Sequence, residues 1–455
     1  MRTSFTIAIA KIVFWMNRQT GSGGSALPGL VAERLQPDIL KSLAKSNFAK
    51  GVVIITGTNG KTTTSRMVAE ILDAAGVSYI HNKAGSNLSR GIISTFIAEA
   101  SLSGCIKADL ALLEVDEASV PVVAAALKPT VLVVTNLFRD QLDRYGEVDS
   151  TAQLLRKALK NFKGTLCLNA DDPLVASLGA THNKQTKYFG VSDYDGQSLE
   201  HDTAIDVIKS PLSDTMLRYK KRYFGHVGIY ESVDGSYKRP HPDVEIIEMI
   251  KENDAGSQAT AKIGGKKLEL SLALPGLYNI YNGLAALSVA DCLKLDLEAA
   301  TKTLANVTAA FGRMEKIEYQ SRQLFLLLIK NPTGFNQVIA TFLKPAKQQP
   351  LLIIINDNFA DGRDVSWLWD AALEDIAGYE GPIYVSGIRA YDMALRLNYA
   401  GLTNIKVEPD IEGALEAVTN KTEKGSKAYI LPTYTAMLAV RKLLVKKTET
   451  AEFWQ

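Results

Sequence analysis

The sequence predicts an α/β protein of two domains, and three observations lead to this fold class. The chain has 455 residues, which is enough for two hydrophobic cores. Short apolar runs alternate with helical patterns, which is typical of a doubly wound, mainly parallel sheet. A polar stretch at 190–265 breaks this alternation, and we expect it to be a β-rich insertion. We place the first domain at 1–316 and a smaller α/β domain at 317–455.

The predicted elements follow the order of the chain. Each apolar run bounded by turn residues is assigned to a strand, and each amphipathic run after it to a helix. In the first domain the strands are Val52–Thr56, Leu110–Val115, Thr130–Thr135 and Thr165–Asn169, and the helices are Thr62–Ala75 and Asn282–Leu293. In the second domain the strands are Leu324–Ile329, Leu351–Ile355, Ile383–Ser386 and Ala428–Leu431, and a helix is expected at Val365–Ala377. Ligands bind at the carboxyl ends of such strands, where the polar motifs of this chain fall.

Composition excludes several classes of protein. The chain is 46% hydrophobic and 22% charged, as in soluble globular proteins, and its net charge of +2 gives no argument for a nucleic-acid partner. The three cysteines are widely separated, which favours a reducing compartment over a disulfide scaffold. The apolar segment 5–16 is too short to cross a bilayer, so no transmembrane segment is expected. An amphipathic helix packed on the domain is favoured there, with contact to a membrane surface as the alternative.

The strongest motif follows the first predicted strand. Its residues are Gly57, Thr58, Asn59, Gly60, Lys61, Thr62 and Thr63. Glycines allow backbone N–H groups to face a phosphate, a lysine adds a positive charge, and the first hydroxyl can hold Mg²⁺. Only two residues separate Gly57 from Gly60, which is shorter than the usual phosphate loop. The motif therefore predicts a nucleotide site of an uncommon type.

Acidic residues follow two further strands. Glu114 ends the second strand, where it can bind Mg²⁺, although an acidic helix-capping cluster with Asp116 and Glu117 is the alternative. Segment 135–146 carries alternating charges that fit either a nucleotide and metal site or a solvated helix face. In the second domain, Asp364 lies in a loop with two more aspartates and an arginine. A catalytic loop is favoured over a simple N-cap there.

Taken in order, these motifs resemble the Mur ligase family. The resemblance rests on TGTNGKTTT, LEVDEA, TNLFRDQLDRYGE, LNADDP, YNIYNGLAA and FGRMEK. Within that family the chain is most similar to the MurT type, on the segments GGSALPG, NLSRG, KNPTGFN, DNFADGRDVSW and LPTYTAML. We expect no counterpart of the separate UDP-substrate domain of other Mur ligases before residue 50, which also fits the MurT type.

The resemblance implies ATP and Mg²⁺ as cofactors. Lys61 and Thr62 would serve the phosphates, Thr62 and Glu114 would hold Mg²⁺, and Asp364 would be catalytic with Lys61 and Glu114. Nucleotide binding would fall to the loop residues from Gly57 to Thr63 and to Asn279, Asn282 and Arg313. The implied reaction, in the cytoplasm at the inner membrane face, amidates the D-glutamate of lipid II through an acyl phosphate. Ammonia would come from a GatD-type glutaminase partner, because no cysteine of this chain has a plausible histidine partner.

Two departures from the family pattern bear on metals. MurT-type insertions commonly hold zinc with four cysteines, whose places here are taken by Ile205, Ile208, Glu231 and Asp234. Such residues cannot form a thiolate site, so we predict no zinc and expect the two isoleucines to make apolar contacts instead. Gln141 stands where other Mur ligases often place a metal-binding histidine, which leaves a second metal in doubt.

Two other functions are compatible with the core motifs. One is a stand-alone Mur-type or folylpolyglutamate-type ligase that adds an amino acid, and the other is a non-catalytic nucleotide-binding scaffold. The segments that resemble the MurT type argue against the first. Against the second stand five intact residues, Lys61, Thr62, Glu114, Arg313 and Asp364.

Overall fold

The computed structural model describes residues 2–19, 26–44, 48–82, 86–139, 148–180, 182, 185–192, 194–195, 199–308 and 313–447. Within these residues a nine-stranded sheet dominates the first part of the chain. Its strands are β1 (Gly51–Thr56), β2 (Tyr79–His81), β3 (Leu110–Glu114), β4 (Val131–Val134), β5 (Thr165–Asn169), β6 (Thr186–Val191), β9 (Val244–Asn253), β10 (Gly256–Ile263) and β11 (Lys266–Leu272), and a separate hairpin is formed by β7 (Leu217–Phe224) and β8 (Val227–Ser232).

The order of this sheet is β11-β10-β9-β6-β5-β4-β1-β3-β2. In this order, all neighbouring strands from β9 across to β2 pair in parallel, and β10 and β11 extend the other edge with antiparallel pairing. Separate apolar clusters cover its two faces, as a doubly wound sheet requires. The predicted fold class is therefore confirmed, and the insertion is rich in strands as expected.

Helices flank both faces of this sheet and of the second one. They are α1 (Arg2–Gln19), α2 (Leu27–Leu35), α3 (Ile39–Leu43), α4 (Lys61–Ala74), α5 (Ser89–Glu99), α6 (Val120–Leu127), α7 (Val148–Leu159), α8 (Pro173–Ala180), α9 (Leu277–Cys292), α10 (Leu297–Leu304), α11 (Pro332–Val338), α12 (Ala390–Tyr399), α13 (Ile411–Lys421) and α14 (Tyr434–Lys447). Helix α1 packs against α2 and α5. None of the helices in the described part of the chain is both long and apolar enough to cross a bilayer.

A second sheet forms the C-terminal part. Its strands are β12 (Arg313–Tyr319), β13 (Arg322–Leu327), β14 (Leu351–Ile354), β15 (Ile383–Ser386), β16 (Ile405–Val407) and β17 (Lys427–Pro432), in the order β12-β13-β17-β14-β15-β16. All pairs are parallel except β12–β13. Strand β12 belongs to this sheet, but its first four residues, 313–316, precede the domain boundary that we placed after residue 316. The boundary itself stays a prediction.

The helix predicted at Val365–Ala377 is wrong. Two short 3-10 turns, Ser366–Asp370 and Leu373–Ile376, stand in its place. The buried Arg396 guanidinium donates hydrogen bonds to the carbonyls of Leu368 (3.1 Å) and Ala371 (2.6 Å). These carbonyls are then satisfied by a side chain rather than by the next helical turn, so tertiary contacts override the local helical pattern.

Candidate functional site

The loop between β1 and α4 has the backbone shape that the glycine motif predicts. Gly57 and Gly60 have φ angles of +127° and +87°, which disfavour residues with a side chain. A Cβ at Gly57 would lie 2.2 Å from the hydroxyl of Thr135, and one at Gly60 would lie 2.2 Å from Oδ1 of Asn282. Both positions therefore exclude a side chain on two separate physical grounds.

Residues after β4 hold this loop in place. The Asn59 amide donates to Oδ1 of Asn136 (2.9 Å), and the Asn136 side chain donates back to the Asn59 carbonyl (3.0 Å). The Thr135 hydroxyl donates to the same carbonyl (2.7 Å). Thr58 accepts a hydrogen bond from the Phe138 amide (3.0 Å), so its side chain braces the loop. The sequence placed Thr135 and Asn136 at this edge of the sheet, but did not reveal that they fix the loop.

Lys61 is buried at the first position of α4. Its Nζ donates to the Gly57 carbonyl (2.6 Å) and pairs with Oε1 of Glu117 (3.0 Å). Burial acts to lower the pKa of Lys61, but the carboxylates of Glu117, Glu114 and Asp116 outweigh it and leave the pKa raised. The lysine is therefore charged, and its charge is compensated beneath the glycine turn.

Three buried carboxylates, those of Glu114, Asp116 and Glu117, cluster at the end of β3. The Glu114 backbone is fixed by Asn82, which accepts from its amide (2.9 Å) and donates to its carbonyl (2.7 Å). Asn87 donates to Oε1 of Glu114 (3.3 Å), and Thr62 lies at the start of α4, half-buried.

Oxygen donors of this kind suit Mg²⁺, which is bound through one or two carboxylates together with phosphate oxygens. In the described part of the chain, no group of three or more His, Cys, Asp or Glu side chains could hold a metal ion. The residues present therefore fit an ion that would be shared with a nucleotide.

Asn279 and Asn282 lie together near the start of α9. The Asn282 side chain donates to Oδ1 of Asn279 (3.1 Å), and its own Oδ1 accepts from the Thr64 hydroxyl (3.2 Å). Asn279 is anchored to the Pro275 carbonyl (2.7 Å). Both asparagines are buried, Asn282 lies beside Gly60, and both line the same cleft. Their binding of a nucleotide stays a prediction.

A cleft with a cavity volume of about 130 Å³ opens between this loop and the C-terminal part. Lys330 Nζ reaches the Thr58 carbonyl (3.4 Å), and Asn331 donates to Oδ1 of Asn59 (3.3 Å). The lining comes from both parts of the chain and includes Asn59, Gly60, Thr63, Asn136, Phe138, Tyr278, Asn279, Asn282, Lys330 and Thr333. Lys330 and Asn331 were singled out only as part of a resembling segment, because nothing in their spacing places them on the phosphate loop.

Asp364 lies on the loop after β14, and its Oδ1 accepts from the Ser366 amide (2.8 Å). It is half-buried and is not among the described residues that line the cleft. The other two aspartates of this loop brace the fold: Asp361 accepts from the Thr435 amide (2.7 Å), and Asp357 pairs with Arg389 (2.7 Å). A catalytic role for Asp364 stays a prediction.

The LNADDP motif also braces the fold. Asp172 accepts from the amides of Leu174 and Val175 at the start of α8, and from the Leu137 amide (2.8 Å). The buried His226, from the insertion, lies 3.5 Å from the Asp172 carboxylate. Burial acts to lower the pKa of His226, but Asp172 outweighs it and the pKa is raised.

The four positions that replace the zinc cysteines lie in and beside the β7–β8 hairpin. Asp234 accepts from the Ser232 (2.6 Å) and Ser236 (2.8 Å) hydroxyls, and Glu231 pairs with Lys220 (3.4 Å). Ile208 is 54% exposed, so the apolar contact expected for it is wrong, whereas Ile205 is half-buried. Absence of zinc stays a prediction.

Two predicted positions cannot be placed. Gln141 lies outside the described residues. Arg313 begins β12, but its side chain is likewise outside the described part.

Family models match most of the chain. The Mur ligase middle domain matches residues 55–290, and the MurT ligase C-terminal model matches residues 328–437. Among curated relatives, the MurT subunit of lipid II isoglutaminyl synthase (glutamine-hydrolyzing) of Streptococcus pneumoniae is 35% identical, over 93% of both chains. The corresponding subunit of Staphylococcus aureus is 32% identical over 99% of both chains.

Solved structures share the fold. A pseudomurein peptide ligase type C from Methanothermus fervidus has a TM-score of 0.72 at 22% identity, covering 90% of this chain and 81% of that one. MurF ligase from Thermotoga maritima in complex with ADP has a TM-score of 0.61 at 14% identity, covering 90% and 84%. At these identities the likeness concerns the fold alone.

Proposed function

Because the chain belongs to the Mur ligase family, and within it to the MurT subunits of lipid II isoglutaminyl synthase, we propose that it amidates the D-glutamate α-carboxylate of the lipid II stem peptide. It is an ATP-dependent carbon–nitrogen ligase of peptidoglycan synthesis. The observation that carries the finer proposal is the two-domain cleft, in which Lys330 and Asn331 reach the phosphate loop. A nucleotide bound there would meet residues from both parts of the chain.

The chemistry needs a leaving group, because a carboxylate is a poor electrophile. A carboxylate oxygen attacks the γ-phosphorus of ATP and ADP leaves, which gives an acyl phosphate. Ammonia then attacks the carbonyl carbon, inorganic phosphate leaves, and the proton lost by the nitrogen ends on the departing phosphate. The protein positions the reactants and compensates charge in this scheme.

The phosphate loop supplies the first set of contacts. The N–H groups of Gly60 to Thr63 at the start of α4 would face the phosphates, since the Thr58 and Asn59 amides already donate to Asn136. Lys61 would exchange Glu117 for a phosphate oxygen. Thr62 and Glu114 hold Mg²⁺, which supplies Lewis-acid stabilisation of the transferred phosphoryl group when bound. Asn279, Asn282 and Arg313 contact the rest of the nucleotide.

Asp364 is proposed to act on the acceptor side of the cleft. Its loop follows a parallel strand of the second sheet, where functional loops of such sheets lie. A carboxylate there can hold ammonia or orient the acyl group. Because Asp364 does not line the cleft in this structure, the proposal requires a movement that brings its loop towards the loop after β1.

A separate subunit must supply ammonia. The relatives are named as glutamine-hydrolysing, yet Cys167 is buried with its Sγ 3.6 Å from that of Cys292, and Cys105 lies exposed on a loop. A glutaminase requires an activated cysteine with a histidine base. We therefore propose a GatD-type glutaminase partner, with the complex acting at the inner face of the membrane on its lipid-linked acceptor.

The test is reconstitution with such a glutaminase, lipid II, ATP and glutamine. We expect a product in which NH₂ replaces the α-carboxylate OH, as read by mass spectrometry, and no product without ATP. Free ammonium should replace the partner and glutamine. A product heavier by an amino-acid residue would instead show an amino-acid ligase, and no ATP turnover with all components present would indicate a scaffold.

A further inference from the structure

Helix α1 carries an apolar face that points away from the protein. Phe5, Ile12 and Met16 are 63%, 57% and 47% exposed, and their spacing of seven and four residues puts them on one stripe. Trp15, at 63%, lies beside this stripe. The opposite side of the helix is buried against the domain through residues such as Ile7 and Ala10. The helix is thus anchored on one side and apolar on the other.

The charged residues of α1 itself are all basic. Arg2 is the first basic residue, and Glu33 is the first acidic residue of the chain; Lys11 and Arg18 are the other charged side chains of the helix. Lys11 Nζ donates to the Ala98 carbonyl of α5 (3.0 Å), and Arg2 donates to the Leu35 carbonyl at the end of α2 (3.0 Å), so both cations are tied to the helices that flank α1. A second copy placed on this face would bring cations against cations.

We propose that α1 is a membrane-surface helix that lies flat on an anionic bilayer. An apolar stripe with an exposed tryptophan beside it, on a helix whose own charged residues are all basic, is typical of interfacial helices. At 18 residues the helix is about 27 Å long, which suits lying in the plane of the interface. The choice of a lipid surface over another partner rests in part on the proposed function, because a lipid-linked acceptor has to be met at the bilayer.

The experiment is vesicle co-sedimentation of the full-length chain without nucleotide or acceptor. Wild type should bind vesicles that contain phosphatidylglycerol, and bind pure phosphatidylcholine vesicles much more weakly. The triple variant F5S/I12S/M16S should bind anionic vesicles weaker by roughly tenfold or more, since three exposed apolar side chains are lost. Tryptophan emission of the wild type should shift to the blue on binding, and absence of this shift in the W15F variant would place Trp15 in the interface.

A matched control removes three exposed side chains elsewhere. Variant Y391S/L395S/Y399S alters a similar stripe on α12, where these residues are 70%, 51% and 72% exposed. It should bind vesicles as wild type does. Equal loss in both triple variants, or wild type that does not bind anionic vesicles, would overturn the proposal. So would a wild-type dimer that F5S/I12S/M16S converts to a monomer.

The outcome is independent of the catalytic proposal. Vesicle binding is measured without turnover, so it can fail while ATP-dependent amidation of a short-chain, water-soluble acceptor succeeds. Conversely, amidation can fail while the chain still binds vesicles through α1. F5S/I12S/M16S should retain wild-type activity on the soluble acceptor, because α1 lies outside the cleft.

Discussion

Gly60→Ala is the sharpest test of the candidate nucleotide site. The change adds one Cβ at a residue with φ of +87°, 2.2 Å from Oδ1 of Asn282. The left-handed backbone costs an alanine about 1–2 kcal/mol. The clash must also displace Asn282, whose side chain links Thr64 to Asn279 through two buried hydrogen bonds. Leaving buried groups unpaired costs about 1–3 kcal/mol more.

Gly76→Ala supplies the matched control. Gly76 follows the other end of the same helix with φ of +66°, and a Cβ there would meet nothing within 4 Å. It should therefore carry the backbone cost alone. We expect urea unfolding to show a loss of about 2–5 kcal/mol for Gly60→Ala and about 1–2 kcal/mol for Gly76→Ala.

Nucleotide affinity separates the two variants further. Gly60 borders the cleft, whereas Gly76 does not line it, so Gly60→Ala alone should weaken MgADP binding, by about tenfold or more in calorimetric titration. Equal losses of stability in both variants would refute the steric argument. Unchanged MgADP affinity in folded Gly60→Ala would refute the assignment of this loop to phosphate binding.

Three further outcomes are expected. Glu114→Gln should lower Mg²⁺-dependent ATP turnover by about 100-fold or more, measured by phosphate release, with urea stability nearly unchanged because Asn82 braces the Glu114 backbone. Asp364→Asn should abolish amidation in the reconstituted assay while its thermal midpoint stays near that of the wild type. Asp361→Asn should lower the thermal midpoint, since the Asp361 carboxylate accepts from both the amide and the hydroxyl of Thr435. A destabilised Asp364→Asn that still amidates would exclude catalysis by Asp364. Because the pKa of His226 is raised, its charged form stabilises the fold fully below the unfolded pKa of about 6.5, and this stabilisation is lost as pH rises through the folded pKa. Urea unfolding measured at increasing pH above about 6.5 should therefore show a decline in stability, and His226→Phe should flatten this decline.

Local patterns predicted the parallel strands well. Strand β5 has the predicted bounds, Thr165–Asn169, because a buried apolar run of five residues has few other solutions. Helix α9 was harder: it begins at Leu277, five residues before its predicted start at Asn282, directly after Gly276 with φ of +91°. The helix predicted from Val365 does not form because the Leu368 and Ala371 carbonyls accept hydrogen bonds from Arg396. A local sequence pattern cannot predict this contact, since Arg396 lies far along the chain.

The candidate site divides in the same way. The glycine loop and Lys61 were visible in seven consecutive residues, because a backbone cradle for phosphate is a local property of the sequence. Lys330 and Asn331 were not visible, since they lie 272 residues from Thr58 and Asn59, respectively, and meet them only through the packing of two sheets. The contact between Cys167 and Cys292 was missed for the same reason.

The insertion shows how a hairpin can be fixed without thiolate ligands. Tyr230 and Tyr237 from and beside β8 donate to the Ala170 (3.1 Å) and Pro173 (2.6 Å) carbonyls, at the loop between β5 and α8. Arg239 pairs with the fully buried Asp171 of the same loop. These contacts hold the hairpin against the main sheet, whereas a bound metal would cross-link residues within the insertion. Because their anchors lie on the loop that also carries Asp172, loss of the hairpin would disturb the Leu137–Phe138 segment that supports Thr58.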